Sequence, residues 1–367
     1  MFNDNSENIK LEVFSPVFIG TGNEYYCSEF YFIKRKGITK LSRSNLDFIA
    51  RKLYNLDFEL FMDFLDVLKN GNNFKNQRNN EEPNEEPRGL HKFLLNSVKT
   101  ANKNLYFNFL KNSLYECNLC YGNDIEDKYN IGCIKENIKT KNESYIPGSS
   151  IKGAIRNSIL YSKLNLIDKR NSDVKKIIKT QNKKLNSFMR NLNFTDTFNG
   201  IKEPAIYGVE SFGTKKNTFT FLETIDKGSI LKFKYYNSAN PNLNRKTSNY
   251  DIDDIFKCVY DFSMDLFDEE INFAEKNGLY DLEDFYNNIY KLNSIDKPFI
   301  RLGHGSGVLA VSQMLNIKNS RKSLNDFTKF RKDNEIRKFY NYDFPKTKKL
   351  IVNSDMPLGW VQLSKDN

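Results

Sequence analysis

The stretch YIPGSSIKGAIRNSIL, residues 145–160, carries more information than any other part of this chain. Pro147 and Gly148 make a turn, and Ser149 or Ser150 can cap the helix that follows. Ile151, Ile155, Ile159 and Leu160 recur at helical spacing and supply its buried side. A helix starting here leaves backbone N–H groups unpaired beside Lys152 and, one turn on, Arg156. Free N–H groups, two hydroxyls, a helix dipole and two cations together favour a phosphate. The alternative is a capped helix in which Gly153 and Ala154 simply allow close packing. From the residues alone the two readings stand level.

Outward from this motif, the chain alternates between strand-like and helix-like segments. Leu11–Gly22 (LEVFSPVFIGTG) reads as a strand limited by Pro16 and ended by Gly20 and Gly22. Residues 45–69 read as a helix through Leu46, Ile49, Leu53, Leu56, Leu60, Phe64 and Leu68, with Ser44 as cap and Asn70-Gly71 as stop. Residues 71–89 are rich in Asn, Glu, Pro and Gly and read as an exposed loop. A second helix is expected over Leu90–Leu114, followed by a cysteine-bearing loop. Phe219–Phe233 reads as a β-hairpin turning at Asp226-Lys227-Gly228. Residues 251–276 are helical, with an acidic first turn and an Asn277-Gly278 stop. GWVQLS closes the chain as a strand. The expected class is therefore α+β.

Composition fits a water-exposed globular chain, with 28% charged and 39% apolar residues. No apolar run approaches the roughly 18 residues of a membrane span, and no secretory leader is visible at MFNDNSENIK. Five cysteines, an odd number, suit a reducing cytoplasm better than a disulfide framework. The net charge of +10 points to a polyanionic partner. Lysine greatly outnumbers arginine, an excess that an AT-rich genome would produce without any functional cause. Distribution is more telling than the total. Residues 163–190 and 318–349 are each net +7, whereas residues 250–286 are net −10, counted directly along the chain. Such segregation suggests one face for RNA and another for a basic protein neighbour.

A second candidate is Arg301-Leu302-Gly303-His304-Gly305-Ser306-Gly307. Its alternating glycines permit positive φ and close backbone approach to a ligand, but the spacing matches neither a Walker loop nor the dinucleotide fingerprint. Cys117, Cys120 and Cys133 could supply three ligands for a structural zinc, with His91 or a carboxylate as the fourth. Otherwise no cofactor is expected. The only histidines, His91 and His304, are poor material for acid–base chemistry: His91 follows the loop, and His304 sits among glycines.

Four motifs, LEVFSPVFIGTGNE, YIPGSSIKGAIR, RLGHGSGVLA and PLGWVQL, together resemble the RAMP proteins of type III CRISPR systems. Within that group they resemble the fifth-subunit family of the type III-A Csm complex. The motifs cover about an eighth of the chain yet bracket nearly all of it. The resemblance implies two ferredoxin-like (RRM-like) domains with a helical insertion and a Gly-rich loop. The first would cover 1–192, with the loop 71–89 and a helical, Cys-bearing insertion at about 90–140. The second would cover 193–367, with the acidic helices 250–286 and the Gly-rich loop 301–307. It further implies a CRISPR RNA-binding subunit, not an enzyme, that caps the guide 3′ end and is needed for CRISPR RNA maturation. The implied partners are the guide RNA and other Csm subunits, above all the repeated backbone subunit, with no membrane; host nucleases would be partners only in the interaction-cap reading below. The residues carried over to RNA contact are Ser149, Ser150, Lys152, Gly153, Arg156, Arg301, Gly303, Gly305 and Gly307. His304 is a departure from the family pattern, placed in the same loop. Two other readings remain open: a metal-independent endoribonuclease acting on CRISPR transcripts, and a protein-interaction cap that recruits nucleases.

Overall fold

The first apolar run does not form one strand. Ile9, Leu11 and Val13 alternate inward along β1 (Glu7–Val13), and the chain then breaks at Pro16 before β2 (Gly20–Tyr26). The two strands enter different sheets. That break sets the architecture, because residues 14–19 cross from one sheet to the other. The computed structural model describes residues 6–71, 89–120, 131–165, 174–214, 219–238, 250–319 and 345–366. The exposed loop expected at 71–89, apart from its end residues, and most of the basic block 318–349 lie outside these.

Beyond β2 the strands are β3 (Phe30–Arg35), β4 (Ile38–Arg43), β5 (Tyr115–Leu119), β6 (Cys133–Asn137), β7 (Lys139–Thr140) and β8 (Glu143–Ser144). They continue with β9 (Leu192–Phe194), β10 (Ala205–Phe212), β11 (Thr220–Thr224), β12 (Ile230–Asn237), β13 (Phe299–Arg301), β14 (Lys348–Ile351) and β15 (Trp360–Lys365). One sheet has five strands in the order β13-β15-β1-β12-β9. The other has eight, running β2-β6-β11-β10-β5-β4-β3 with β14 paired to β10; β7 and β8 pair separately.

Residues 219–233 are therefore not a hairpin. β11 lies in the large sheet and β12 in the small one, so Asp226–Gly228 is a second crossing point. The turn chemistry was read correctly, but the partner of each strand is set by distant β1 and β10. Both sheets draw strands from both sides of residue 192, so that position does not separate them. The stretch expected as an insertion at about 90–140 likewise supplies two strands of the large sheet, β5 and β6.

The large sheet curls. β2 and β3 stand at opposite ends of its path, yet only residues 27–29 join them. At this bend the existing ladders run past the strand ends: the Cys27 amide donates to the Gly132 carbonyl at 3.0 Å beyond the β2–β6 pairing, and the Ser44 amide donates to Glu29 O at 3.0 Å beyond the β3–β4 pairing. The enclosed core holds Tyr25, Leu41, Cys117, Ile134, Ile206 and Phe221. A fully buried Glu223 sits there too, accepting from Lys139 Nζ at 2.6 Å, Tyr25 Oη at 3.0 Å and Tyr115 Oη at 3.2 Å. A carboxylate with three donors is compatible with such burial.

The helix expected at 45–69 is two helices, Leu46–Leu56 and Phe58–Gly71, broken at the extended Asp57. Its cap is Asn45, whose Oδ1 accepts from the Phe48 amide at 3.1 Å, so the predicted Ser44 is one residue early. Helix 90–114 is interrupted by a π turn at Leu94–Val98 and ends at Lys111. This helical group packs on Tyr31 and Ile33 of the large sheet. The acidic helix, Ile252–Asn277, matches expectation at both ends, with an Asp251 cap and Gly278 in the left-handed region. The 145–160 motif opens a helix spanning Gly148–Asn165, and Ile151, Ile155 and Ile159 are buried against the small sheet. Each such side chain contributes about 2 kcal/mol by burial. Among the described residues, no helix is long and apolar enough to cross a membrane.

Candidate nucleic-acid interface

Three of the four sequence motifs meet at the crossing segment Pro16–Ile19, and the fourth shares a buried core with it through Ile146 and Val17. The Gly359 amide donates to Pro16 O at 2.9 Å and the His304 amide to Phe18 O at 2.8 Å. Val17 and Ile225 exchange amide bonds at 3.0 and 2.9 Å, tying in the second crossing. Asn137 Oδ1 accepts from the Ile19 amide at 2.8 Å. Gly303 has φ +76°, and a Cβ there would stand 2.3 Å from Phe18 O; Gly359 has φ +88°, with Leu302 O at 2.2 Å from the same point. Only glycine fits such positions. Much of what the motifs encode is this junction between sheets.

The start of the motif helix is closed differently from the sequence expectation. Neither Ser149 nor Ser150 is its cap. The Gly148 amide donates to Asp196 Oδ1 at 2.8 Å, and the Ile146 amide to Thr197 Oγ1 at 2.9 Å. A Cβ on Gly148 would lie 2.1 Å from Phe194 O, so this glycine serves contact with the strand end carrying those caps. A carboxylate therefore already occupies part of the helix terminus. Asp196 and Thr197 are good capping types, but nothing in their sequence links them to a helix 48 residues upstream.

What remains outward is a face. Ser149 and Gly153 are exposed, and Ser150, Lys152 and Arg156 are half-buried. Nothing stands within 4 Å of a Cβ built on Gly153. Burial lowers the Lys152 ammonium. Arg156 is partly committed, donating to Asn182 Oδ1 at 2.8 Å and Asn186 Oδ1 at 2.9 Å on the basic helix Val174–Met189. Asn157, one turn past Gly153, donates to Ala310 O at 2.8 Å. The glycine-rich loop and its short helix Gly307–Val311 are thus docked beside the motif helix.

Arg301 corrects the sequence reading. It is only 6% exposed and faces the core rather than a ligand. Its Nε donates to Leu358 O at 3.0 Å, Nη1 to Glu270 Oε1 at 3.0 Å and Nη2 to Gly305 O at 3.1 Å, with Trp360 5.4 Å beneath. It shapes the glycine loop from inside. Glu270, part of the acidic stretch expected to face a basic neighbour, is instead buried with it, accepting also from Lys348 and from Tyr286 Oη at 2.6 Å. Burial opposes the Glu270 charge, but Lys348 and Arg301 outweigh it and hold the carboxyl below its ordinary range. Burial lowers Lys348 to about 8. Gly303 and Gly305 are half-buried, whereas His304 and Gly307 are exposed.

The zinc expectation fails on strand geometry. Cys117 and Cys120 lie along and just past β5 and, three residues apart, alternate to opposite faces. Cys117 is buried, Cys120 is exposed, and Cys133 donates to Glu24 Oε2 at 3.4 Å. Among the described residues, no three His, Cys, Asp or Glu side chains gather to hold an ion.

His91 is a core residue, 7% exposed, with Nδ1 accepting from the Phe32 amide at 3.3 Å. Burial pushes its imidazole down to about 4, from 6.5 for the free group. The folded state therefore binds this proton less readily than the unfolded chain. Its contribution is intact above pH 6.5 and is lost as pH falls from 6.5 towards 4. Two to three units correspond to about 3 kcal/mol. Urea unfolding at pH 7 and pH 4.5 should show His91→Gln losing markedly less stability on acidification than the parent.

With this geometry in place, the family is decided by the match of residues 10–312 to the RAMP superfamily model. The chain belongs to the RAMP superfamily. The resemblance drawn from the four motifs is borne out, and the two sheets with their packed helices are the RRM-like units of that fold. A curated relative, the CRISPR system Cms protein Csm5 of Methanocaldococcus jannaschii, is 24% identical over 276 residues, 63% of this chain. The match spans 65% of that relative, just under two thirds of its length. A chain in the cryo-EM structure of a type III-A Csm–crRNA–target RNA ternary complex superposes with a TM-score of 0.67 at 22% identity, covering 98% of this chain and 100% of that one. The crystal structure of T. onnurineus Csm5 gives 0.66 at 22% identity, covering 96% and 99%. These structural likenesses establish the RAMP fold over nearly the whole chain.

Proposed function

We propose that this RAMP chain is a guide-RNA-binding subunit of a type III-A CRISPR effector of the Csm kind. In this reading it sits at the guide's 3′ side, against the repeated backbone subunit, and is needed for maturation of that RNA. The observation that carries the RNA contact is Gly153. A glycine inside an exposed helix costs about 1 kcal/mol relative to alanine, and here the fold has room for a side chain. Its own packing gives no reason for the glycine. A backbone or sugar approaching from outside does, and Ser149, Lys152 and Arg156 line the same approach with hydroxyl and charge. The face suits phosphate-led contact, which is strongly salt-dependent and tolerant of sequence.

The acidic helices serve the other partner. Asp253, Asp254, Asp268, Glu275, Asp281 and Asp284 are exposed along 252–292 and repel RNA, so they fit a basic surface on a neighbouring subunit. The endoribonuclease reading is weakened by the burial of His91 and rests on His304 alone.

The experiment is RNA binding across a salt series with Lys152→Ala. Losing one phosphate contact on a single strand should reduce the slope of log K against log salt by about 0.7. Affinity should fall to a similar degree for unrelated sequences. An unchanged slope removes Lys152 from the interface.

A further inference from the structure

The sequence reading singled out neither Lys135 nor Lys349, which it counted only within the basic block 318–349, yet the fold brings them to one place. Leu222 of β11 is in register with Lys135 of β6 and with Tyr207 of β10. Further along β10, Val209 faces Ile351 and Ser211 faces Lys349 of β14. Because side chains alternate along a strand, Lys135, Tyr207, Val209 and Lys349 all point to one face of the large sheet. That face carries the small core of Phe18, Leu222, Ile351 and Leu358, and the His304 amide is tied to Phe18 O at 2.8 Å. The His304 ring stands edge-on to Phe18, with centroids 5.8 Å apart.

Three cationic or protonatable groups thus rim one apolar patch, and each is only partly covered or exposed. Partial burial, then Lys349 and Lys135, depress the His304 imidazole below its ordinary range. Burial and Lys135 lower Lys349 in the same direction. Among the described residues no carboxylate pairs with any of the three. Glu24, in register with Lys135 on β2, directs its carboxylate to Cys133 Sγ and Tyr26 Oη, each at 3.4 Å. Like charges held together at a partly desolvated site oppose folding unless an anion offsets them. The exposed residues Thr21, Gly22 and Asn23 at the start of β2 leave the approach open.

We propose that Lys135, Lys349 and His304 form a second anion site, which takes a backbone phosphate of single-stranded RNA apart from the motif-helix face. It rests on the RNA-binding reading and extends the contact from the small sheet's helix onto the large sheet. His304 then acts as a binding group that gains its proton as the phosphate docks.

The test is histidine NMR on the full chain, which contains only His91 and His304. The buried His91 serves as the internal control for folding. The probes are a short RNA oligonucleotide without terminal phosphates and, separately, inorganic phosphate. The oligonucleotide should raise the His304 pKa by about one unit and leave His91 unmoved. That response should vanish in the double variant Lys135→Gln/Lys349→Gln, with His91 still reporting an intact core. Three results overturn the proposal: no His304 response to RNA, a response that survives in the double variant, or a response to inorganic phosphate alone. RNA binding with His304 unmoved removes this site and leaves the motif-helix reading standing. A chain that binds no RNA removes both.

Discussion

Replacing Glu270 by alanine should cost 3–5 kcal/mol, on the scale measured when one member of a buried ion cluster is removed. Its carboxylate lies between Arg301, Lys348 and Tyr286 in a space that admits almost no water. Deleting it leaves two cations buried without an anion, and that penalty exceeds the value of the bonds themselves. A domain's total stability is about 5–15 kcal/mol, so the urea midpoint should fall sharply. The damage should also reach the glycine loop, since Arg301 holds both Gly305 O and Leu358 O. Replacing the cluster together, as Glu270→Leu with Arg301→Met and Lys348→Met, should cost less than Glu270→Ala alone. If the single alanine variant matches the parent midpoint, the cluster is not the brace described.

The second large effect should appear at Gly153, with opposite signs in two assays. Its Cβ direction is open, and the helix there is regular. Gly153→Leu should therefore raise folding stability by about 0.8 kcal/mol through helix propensity. The same side chain would project into the space that we assign to RNA and keep the backbone from approaching Ser149 and Lys152. Guide-RNA affinity should drop at least tenfold, about 1.4 kcal/mol. A destabilised core could not produce that pair of results, because the variant would be the more stable protein.

The regular elements were legible where the physics is local. The acidic helix was bounded correctly by its acidic first turn and its glycine stop, and the motif helix by its isoleucine spacing. Legibility ended where partners are distant. Asp226-Lys227-Gly228 reads as a hairpin because turn residues specify a reversal, but not which sheet the next strand joins. Arg301 beside three glycines reads as a ligand contact. Its burial depends on Glu270, 31 residues away, and on Leu358, 57 residues away. The cysteine pair reads as a metal site only while it is taken to lie in a loop; with Cys117 on β5 and Cys120 just past its end, the extended backbone separates the thiols. The cap from Asp196 and the gathering of Lys135 and Lys349 follow from strand register alone, which leaves no mark in local sequence.

The exposed helix face at Gly153 is the central claim, and guide-RNA occupancy of the assembled complex tests it most directly. Complexes carrying Gly153→Leu should be purified beside the parent and their bound RNA quantified by sequencing and by crosslinking to the 148–163 segment. The expected result is an intact, slightly more stable subunit with the crosslink lost and guide RNA strongly depleted at its 3′ side. Normal guide RNA, with the crosslink retained against a leucine at 153, would contradict it.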